Sequence, residues 1–213
     1  MKWFSRSEAP PQGGASVSPA SVKYQSRAFK AVLADVDRKV AEGGRPLLLD
    51  LGIALGSNVD FFAERGYRLQ IADLYRSLPP ESPVLEPEAL VEPLAAALPA
   101  SDDGGASLVL AWDLFNYFPL RALSAVGERL ATCLGPDGIV FALLATLKTM
   151  PPGPQRYRVI DAETVETLET DPASAVDAPR YRQPDLERAL SGFRVETTYL
   201  LRAGVQEYIF RRR

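Results

Sequence analysis

The stretch Pro46–Asp73, PLLLDLGIALGSNVDFFAERGYRLQIAD, constrains the fold more than any other part of the chain. Leu47, Leu48 and Leu49 form an unbroken apolar run, the pattern of a parallel strand covered on both faces. Asp50-Leu51-Gly52-Ile53-Ala54-Leu55-Gly56 reads as a turn, Ser57 as a helix N-cap with Asp60 three residues on, and Val59, Phe62 and Ala63 as one helix face. Gly66 is suited to end that helix. Tyr67, Leu69 and Ile71 alternate with Arg68 and Gln70, which is strand periodicity, and Asp73 closes the unit. The stretch therefore predicts a β-α-β crossover whose ligand position lies above the first turn, at the carboxyl ends of the strands.

On either side the pattern continues. Residues 1–20, with Pro10-Pro11, Gly13-Gly14 and several serines, have the composition of a disordered tail. A helix is expected from Ser21 to Glu42, with Tyr24, Ala28, Val32, Val36 and Val40 recurring at i+4 and Gly43-Gly44 ending it. Prolines at 79, 80, 83, 87 and 93 break residues 74–106, where no strand-like run occurs and one helix, Glu88–Leu98, is expected. After an Asp102-Asp103-Gly104-Gly105 turn, Leu108–Trp112 reads as a buried strand, and Pro119 opens a helix carrying Leu123, Val126 and Leu130. Ile139–Ala145 is a further buried strand. Residues 148–182 form an insertion rich in proline and charge, with a short strand expected at Arg156–Ile160. A short helix at Pro184–Leu190 precedes two alternating runs, Phe193–Tyr199 and Val205–Phe210, joined by an Arg202-Ala203-Gly204 turn as an antiparallel hairpin. A single domain over residues 21–213 follows.

Composition narrows the chemistry. The 213 residues include no histidine, which excludes Ser-His-Asp and Cys-His triads, a histidine base and imidazole metal ligands. The one cysteine, Cys133, excludes an intramolecular disulfide and a multi-cysteine zinc site, and its helical surroundings mark it as a core residue. A net charge of −3 gives no general attraction to nucleic acid or anionic membranes. No run is long and apolar enough to span a bilayer and no signal-peptide core is present, so a cytoplasmic location is expected.

Alternating strands and helices that end in an antiparallel hairpin resemble the class I S-adenosylmethionine-dependent methyltransferase superfamily. The resemblance rests on the Asp50–Gly56 turn, on Asp73, on the Leu108–Asp113 strand and on the terminal hairpin. It implies a Rossmann-like three-layer α/β sandwich. The mostly parallel sheet would have six or seven strands, with the third shortened or missing because residues 74–106 supply no strand for it. It also implies S-adenosylmethionine as cofactor, placed against Asp50, Gly52, Ala54, Gly56 and Asn58, with Asp73 on the ribose hydroxyls and Leu74 and Trp112 beside it. A dinucleotide site fits less well, because Gly52, Ala54 and Ser57 stand where that fingerprint needs three glycines.

Around the transferring methyl, Asp113 is the candidate general base, and Asn116, Tyr117, Arg156 and Tyr157 are candidate substrate-binding residues. Arg156 and Arg158 either meet an anionic acceptor or are merely solvated. Two functions stay open: methyl transfer to an unidentified acceptor, or a catalytically silent relative used as a binding or scaffold module. The second draws on Ala54, which replaces the middle glycine of the usual turn, and on the proline-broken 74–106 stretch.

Overall fold

The structure is a computed structural model that describes residues 21–78, 86–98, 100, 104–168, 174–201 and 204–213. The expected tail, residues 1–20, and parts of the 102–105 and 202–204 turns lie outside the described residues. In chain order the elements are β1 Val22–Gln25, α1 Arg27–Ala41, β2 Leu47–Asp50, α2 Gly56–Glu64, β3 Arg68–Ile71, α3 Leu74–Ser77, α4 Pro87–Ala97 and β4 Ala106–Trp112. There follow a 3-10 turn Leu114–Tyr117, α5 Leu120–Cys133, β5 Leu134–Ala145, β6 Thr149–Met150, β7 Arg156–Val159 and β8 Thr164–Leu168. The last elements are β9 Val176–Asp177, α6 Gln183–Ala189, β10 Phe193–Leu201 and β11 Val205–Arg212.

Six strands form the main sheet in the order β10-β11-β5-β4-β2-β3. β3, β2, β4 and β5 run parallel, and β11 and β10 are antiparallel to β5 and to each other. The sheet is thus Rossmann-like with an antiparallel hairpin at one edge. Between Ile71 and Ala106 the described residues contain only α3 and α4, so no third strand lies outside β3. That leaves β3 as an edge, half-buried at every position. Alternation along the central strands feeds two cores. Leu48, Leu108 and Leu110 face α1 and α2, while Leu49, Val109 and Ala111 face α4, α5 and α6. Cys133 belongs to the second core and is buried.

Three local expectations are corrected. The first helix starts at Arg27 rather than Ser21, because Ser26 caps it by accepting from the Phe29 N–H at 2.9 Å. Val22–Gln25 is then free to pair with β8, a partner some 140 residues away that no local pattern reveals. The α2 helix begins at Gly56 after Leu55, not after a Ser57 cap. Its buried positions are Asn58 and Phe62, whereas Val59 is 39% exposed. Gly66 does end the helix, in the left-handed conformation at φ +81°.

The insertion is more ordered than its composition suggests. β7 and β8 form a hairpin that β1 extends into a three-stranded antiparallel sheet, and β6 pairs with β9. Among the described residues no helix is long and apolar enough to cross a membrane. None of them gather into a group of acids and thiols able to hold a metal.

Candidate functional site

The β2–α2 bend is built on Asp50. Its carboxylate is buried, and Oδ1 accepts the Gly52 N–H at 2.9 Å and the Trp112 indole N–H at 2.7 Å. Burial pushes the Asp50 pKa up to about 6, against the pull of those two donors. Trp112 ends β4 with its backbone at φ +48°, a region that costs a side-chain-bearing residue on the order of 1–2 kcal/mol. Its ring stacks on Tyr157 with centroids 5.0 Å apart and planes 5° apart, and it packs against Phe29 and Phe141. The indole therefore lies against the bend. A Cβ on Gly52 would come within 2.8 Å of Trp112 Cδ1.

A narrow cleft of about 40 Å³ remains above the bend, lined by Gly52, Asp73, Tyr75, Arg76, Trp112, Asp113 and Gln155 among others. Asp73 stands at its rim in the left-handed conformation, φ 32°, with Arg76 Nε 3.6 Å from its carboxylate. Of the residues expected at the cofactor, Gly52, Asp73 and Trp112 line this cleft. The others do not. Ala54 is exposed and has no positive φ, so the alanine causes no backbone strain there. Gly56 opens α2, where an added Cβ would meet nothing within 4 Å. Leu74 is core, and its N–H donates to the Leu51 carbonyl at 3.0 Å.

Asn58 is corrected most sharply. Its amide is buried and faces β7, donating to the Tyr157 carbonyl at 2.8 Å and accepting the Val159 N–H at 2.9 Å. It staples the covering sheet to α2 and does not line the cleft above the bend.

On the far side of Asp113 lies a second pocket of about 130 Å³, lined by Tyr24, Asp113, Asn116, Tyr117, Gln155 and Tyr157 with several aliphatic residues. Asp113 lines both hollows, as does Gln155. The Asp113 carboxylate accepts the Gln155 N–H through both oxygens, at 3.1 and 3.3 Å, and Tyr157 lies within hydrogen-bonding reach. Burial dominates these contacts and pushes its pKa up to about 7. The neighbouring tyrosines are pushed up as well, each mainly by burial and in part by the Asp113 charge.

The expected substrate residues separate. Tyr117 and Tyr157 line the pocket; the Tyr117 hydroxyl donates to the Gly153 carbonyl at 2.7 Å. Asn116 lines it too, but its amide is spent tying the 3-10 turn to β5. It donates to the Asp113 and Leu143 carbonyls at 2.8 and 3.1 Å and accepts the Ala145 N–H at 2.9 Å. Arg156 is exposed on β7 and lines neither hollow, and Arg158 is paired with Glu166. The expectation of cations facing an anionic acceptor is therefore not met at this pocket. Tyr24 and Gln155 were not legible as site residues, since Tyr24 fits a helical stripe equally well and Gln155 acts through its backbone.

A wider hollow of about 520 Å³ lies away from the bend, between β1 and the β10–β11 hairpin, lined by Lys23, Arg27, Tyr199 and Leu200. The buried Glu207 at its floor is engaged in holding the start of α1, through Ser26 and the Ala28 N–H. The hollow shares only Tyr24 with the site around Asp113.

No family model matches the sequence, and no curated protein matches it. Solved structures of similar fold include 1,6-didemethyltoxoflavin-N1-methyltransferase of Burkholderia thailandensis, with bound 1,6-didemethyltoxoflavin and S-adenosylhomocysteine. It is 23% identical, with 87% of this chain and 77% of that one covered and a TM-score of 0.43. Magnesium protoporphyrin IX methyltransferase of Synechocystis PCC 6803, with bound S-adenosylmethionine, is 18% identical over 87% and 79% of the two chains, TM-score 0.44. The amino pentose methyltransferase CalS10 of Micromonospora echinaspora, also with S-adenosylmethionine, is 14% identical over 88% and 92%, TM-score 0.45.

Proposed function

We propose that this protein transfers a methyl group from S-adenosylmethionine, bound over the β2–α2 bend, to a small acceptor in the pocket beyond Asp113. The observation that carries the reading is the position of Asp113, a buried acidic residue that lines both hollows together with Gln155. The polar groups fit the cofactor. Asp73 is 29% exposed at the cleft rim, held only loosely by Arg76, and is able to accept from a ribose diol. Gly52 keeps the bend free of a side chain, and Asp113 stands where the two hollows meet.

Room is the harder requirement. A cleft of about 40 Å³ is far below the ~300 Å³ at which small-molecule sites begin. Pro154 and Gln155 must therefore swing outward for the cofactor to enter. They are held by the long Gln155 N–H contacts to Asp113, with the preceding Gly153 tethered to Tyr117.

When bound, S-adenosylmethionine supplies an activated methyl group with its own leaving group, so positioning provides most of the acceleration. The protein's part is to align the acceptor and take up its proton, and Asp113 is the group in place for both. A second reading, a silent binding module, is favoured by the Trp112–Tyr157 stack that crowds the bend. Calorimetric titration with S-adenosylmethionine and S-adenosylhomocysteine separates the two. Binding that is lost in Asp73→Ala supports the transferase, whereas no heat and no thermal shift at millimolar ligand supports the module.

A further inference from the structure

We infer that the acceptor is an uncharged, single-ring hydroxyl compound of phenol size, and that the Asp113 pocket rejects carboxylates and phosphate esters. The inference rests on the transferase reading above and adds the acceptor class.

Size sets the first limit. The pocket holds about 130 Å³, close to the ~150 Å³ of a cavity known to admit benzene. Charge sets the second. The described lining contains one carboxylate and no lysine or arginine. Arg76 borders the other hollow, and Arg156 points to solvent. An anionic acceptor would thus bury its charge beside Asp113 with no cation among the described lining residues to pair it, which is strongly unfavourable. Chemistry sets the third. Tyr24 comes from β1, Tyr117 from the 3-10 turn and Tyr157 from β7, giving a lining of three tyrosines and one carboxylate, with Tyr157 in hydrogen-bonding reach of Asp113. An aromatic hydroxyl compound matches both the tyrosines and the carboxylate.

The step balances within the named reactants. The acceptor oxygen forms a bond to the methyl carbon as the carbon–sulfur bond breaks and its electron pair returns to sulfur. The hydroxyl proton passes to the Asp113 carboxylate.

The test uses the full chain and three single-ring probes, phenol, benzoate and phenyl phosphate, titrated by calorimetry with and without S-adenosylmethionine; benzamide, the neutral isostere of benzoate, separates charge from size. Phenol is expected to bind at least tenfold more tightly than either anion. Asp113→Asn, checked for folding by circular dichroism, should narrow that gap at least threefold. Thr149→Trp, at an exposed rim position, should block phenol without disturbing the core. Benzoate or phenyl phosphate binding as tightly as phenol, or no phenol binding, overturns the inference. The two readings fail separately. Phenol binding with this selectivity but no S-adenosylmethionine heat leaves the pocket assignment standing and removes methyl transfer. Cofactor binding with a preference for anions does the reverse.

Discussion

The indole N–H of Trp112 donates to Asp50 Oδ1 at 2.7 Å, so the end of β4 is tied to the end of β2 through a buried charge-assisted bond. The same oxygen holds the Gly52 N–H, which fixes the bend from both sides. Trp112→Phe keeps most of the ring packing but removes the donor. It should destabilise the fold by about 1.5–3 kcal/mol, the usual worth of a hydrogen bond to a charged group. Urea denaturation at neutral pH measures this. Combining it with Asp50→Asn should give less than the sum of the two single losses.

Asn58 anchors β7 to α2 with two backbone bonds made from inside the core. Asn58→Leu leaves the Tyr157 carbonyl and the Val159 N–H without those partners. A loss of about 2–4 kcal/mol is expected, from unsatisfied buried groups. Hydrogen exchange should localise the loosening to β7 and β8 rather than to the main sheet.

Gly52 and Ala54 sit two residues apart in the bend and should respond oppositely to exchange of their side chains. Gly52→Ala places a Cβ 2.8 Å from the indole edge and should cost about 1–3 kcal/mol by overpacking. Ala54→Gly changes an exposed residue without positive φ, so it should cost no more than about 1 kcal/mol, chiefly through the unfolded chain. Melting temperatures of the two variants check the contrast.

Asp113 makes stability depend on pH. Below about pH 4 the folded and unfolded chains both carry its proton. As pH rises the unfolded chain releases it first, while the buried group keeps it until about pH 7, so stability falls across that window and is level above it. Asp50 acts in the same direction up to about pH 6. Asp113→Asn removes the Asp113 contribution and leaves those of Asp50 and of Glu207, whose carboxyl burial also pushes up. Relative to the wild type the variant should gain on the order of 2–3 kcal/mol between about pH 5 and about pH 8. Chemical denaturation at the two pH values reads the difference.

Periodicity made the main sheet legible. Leu47–Leu49, Leu108–Trp112 and Ile139–Ala145 are apolar on both faces because helices cover both, and the terminal runs alternate because they form a hairpin at one edge. That the described residues between Ile71 and Ala106 hold no strand was legible too, since the prolines of that segment leave no run to pair. Of the cover over the site only β7 was legible, as the strand expected at Arg156–Ile160. β1 reads as part of a helical stripe because Tyr24 lies four residues before Ala28, and only its distant partner β8 makes it a strand. Asn58 sits at a helix position with no local signal of burial, and its role depends on a strand 99 residues later. That Asp73, Gly52 and Asp113 line the hollows was legible because their places follow from where strands end. Gln155 was not, because a backbone donor leaves no mark in the side-chain pattern.

The pairing of Val22 with Thr167 spans 145 residues, so joining β1 to the β7–β8 hairpin closes a long loop. Closure entropy makes such contacts slow to form, and they come after the sequence-local β-α-β units have condensed. Tyr24 and Tyr157 ride on that late-arriving element, one on each side of it. The chamber beside Asp113 is thus completed by a late join of the folding chain, and a species halted before that join would own a finished sheet with an open, solvent-filled floor.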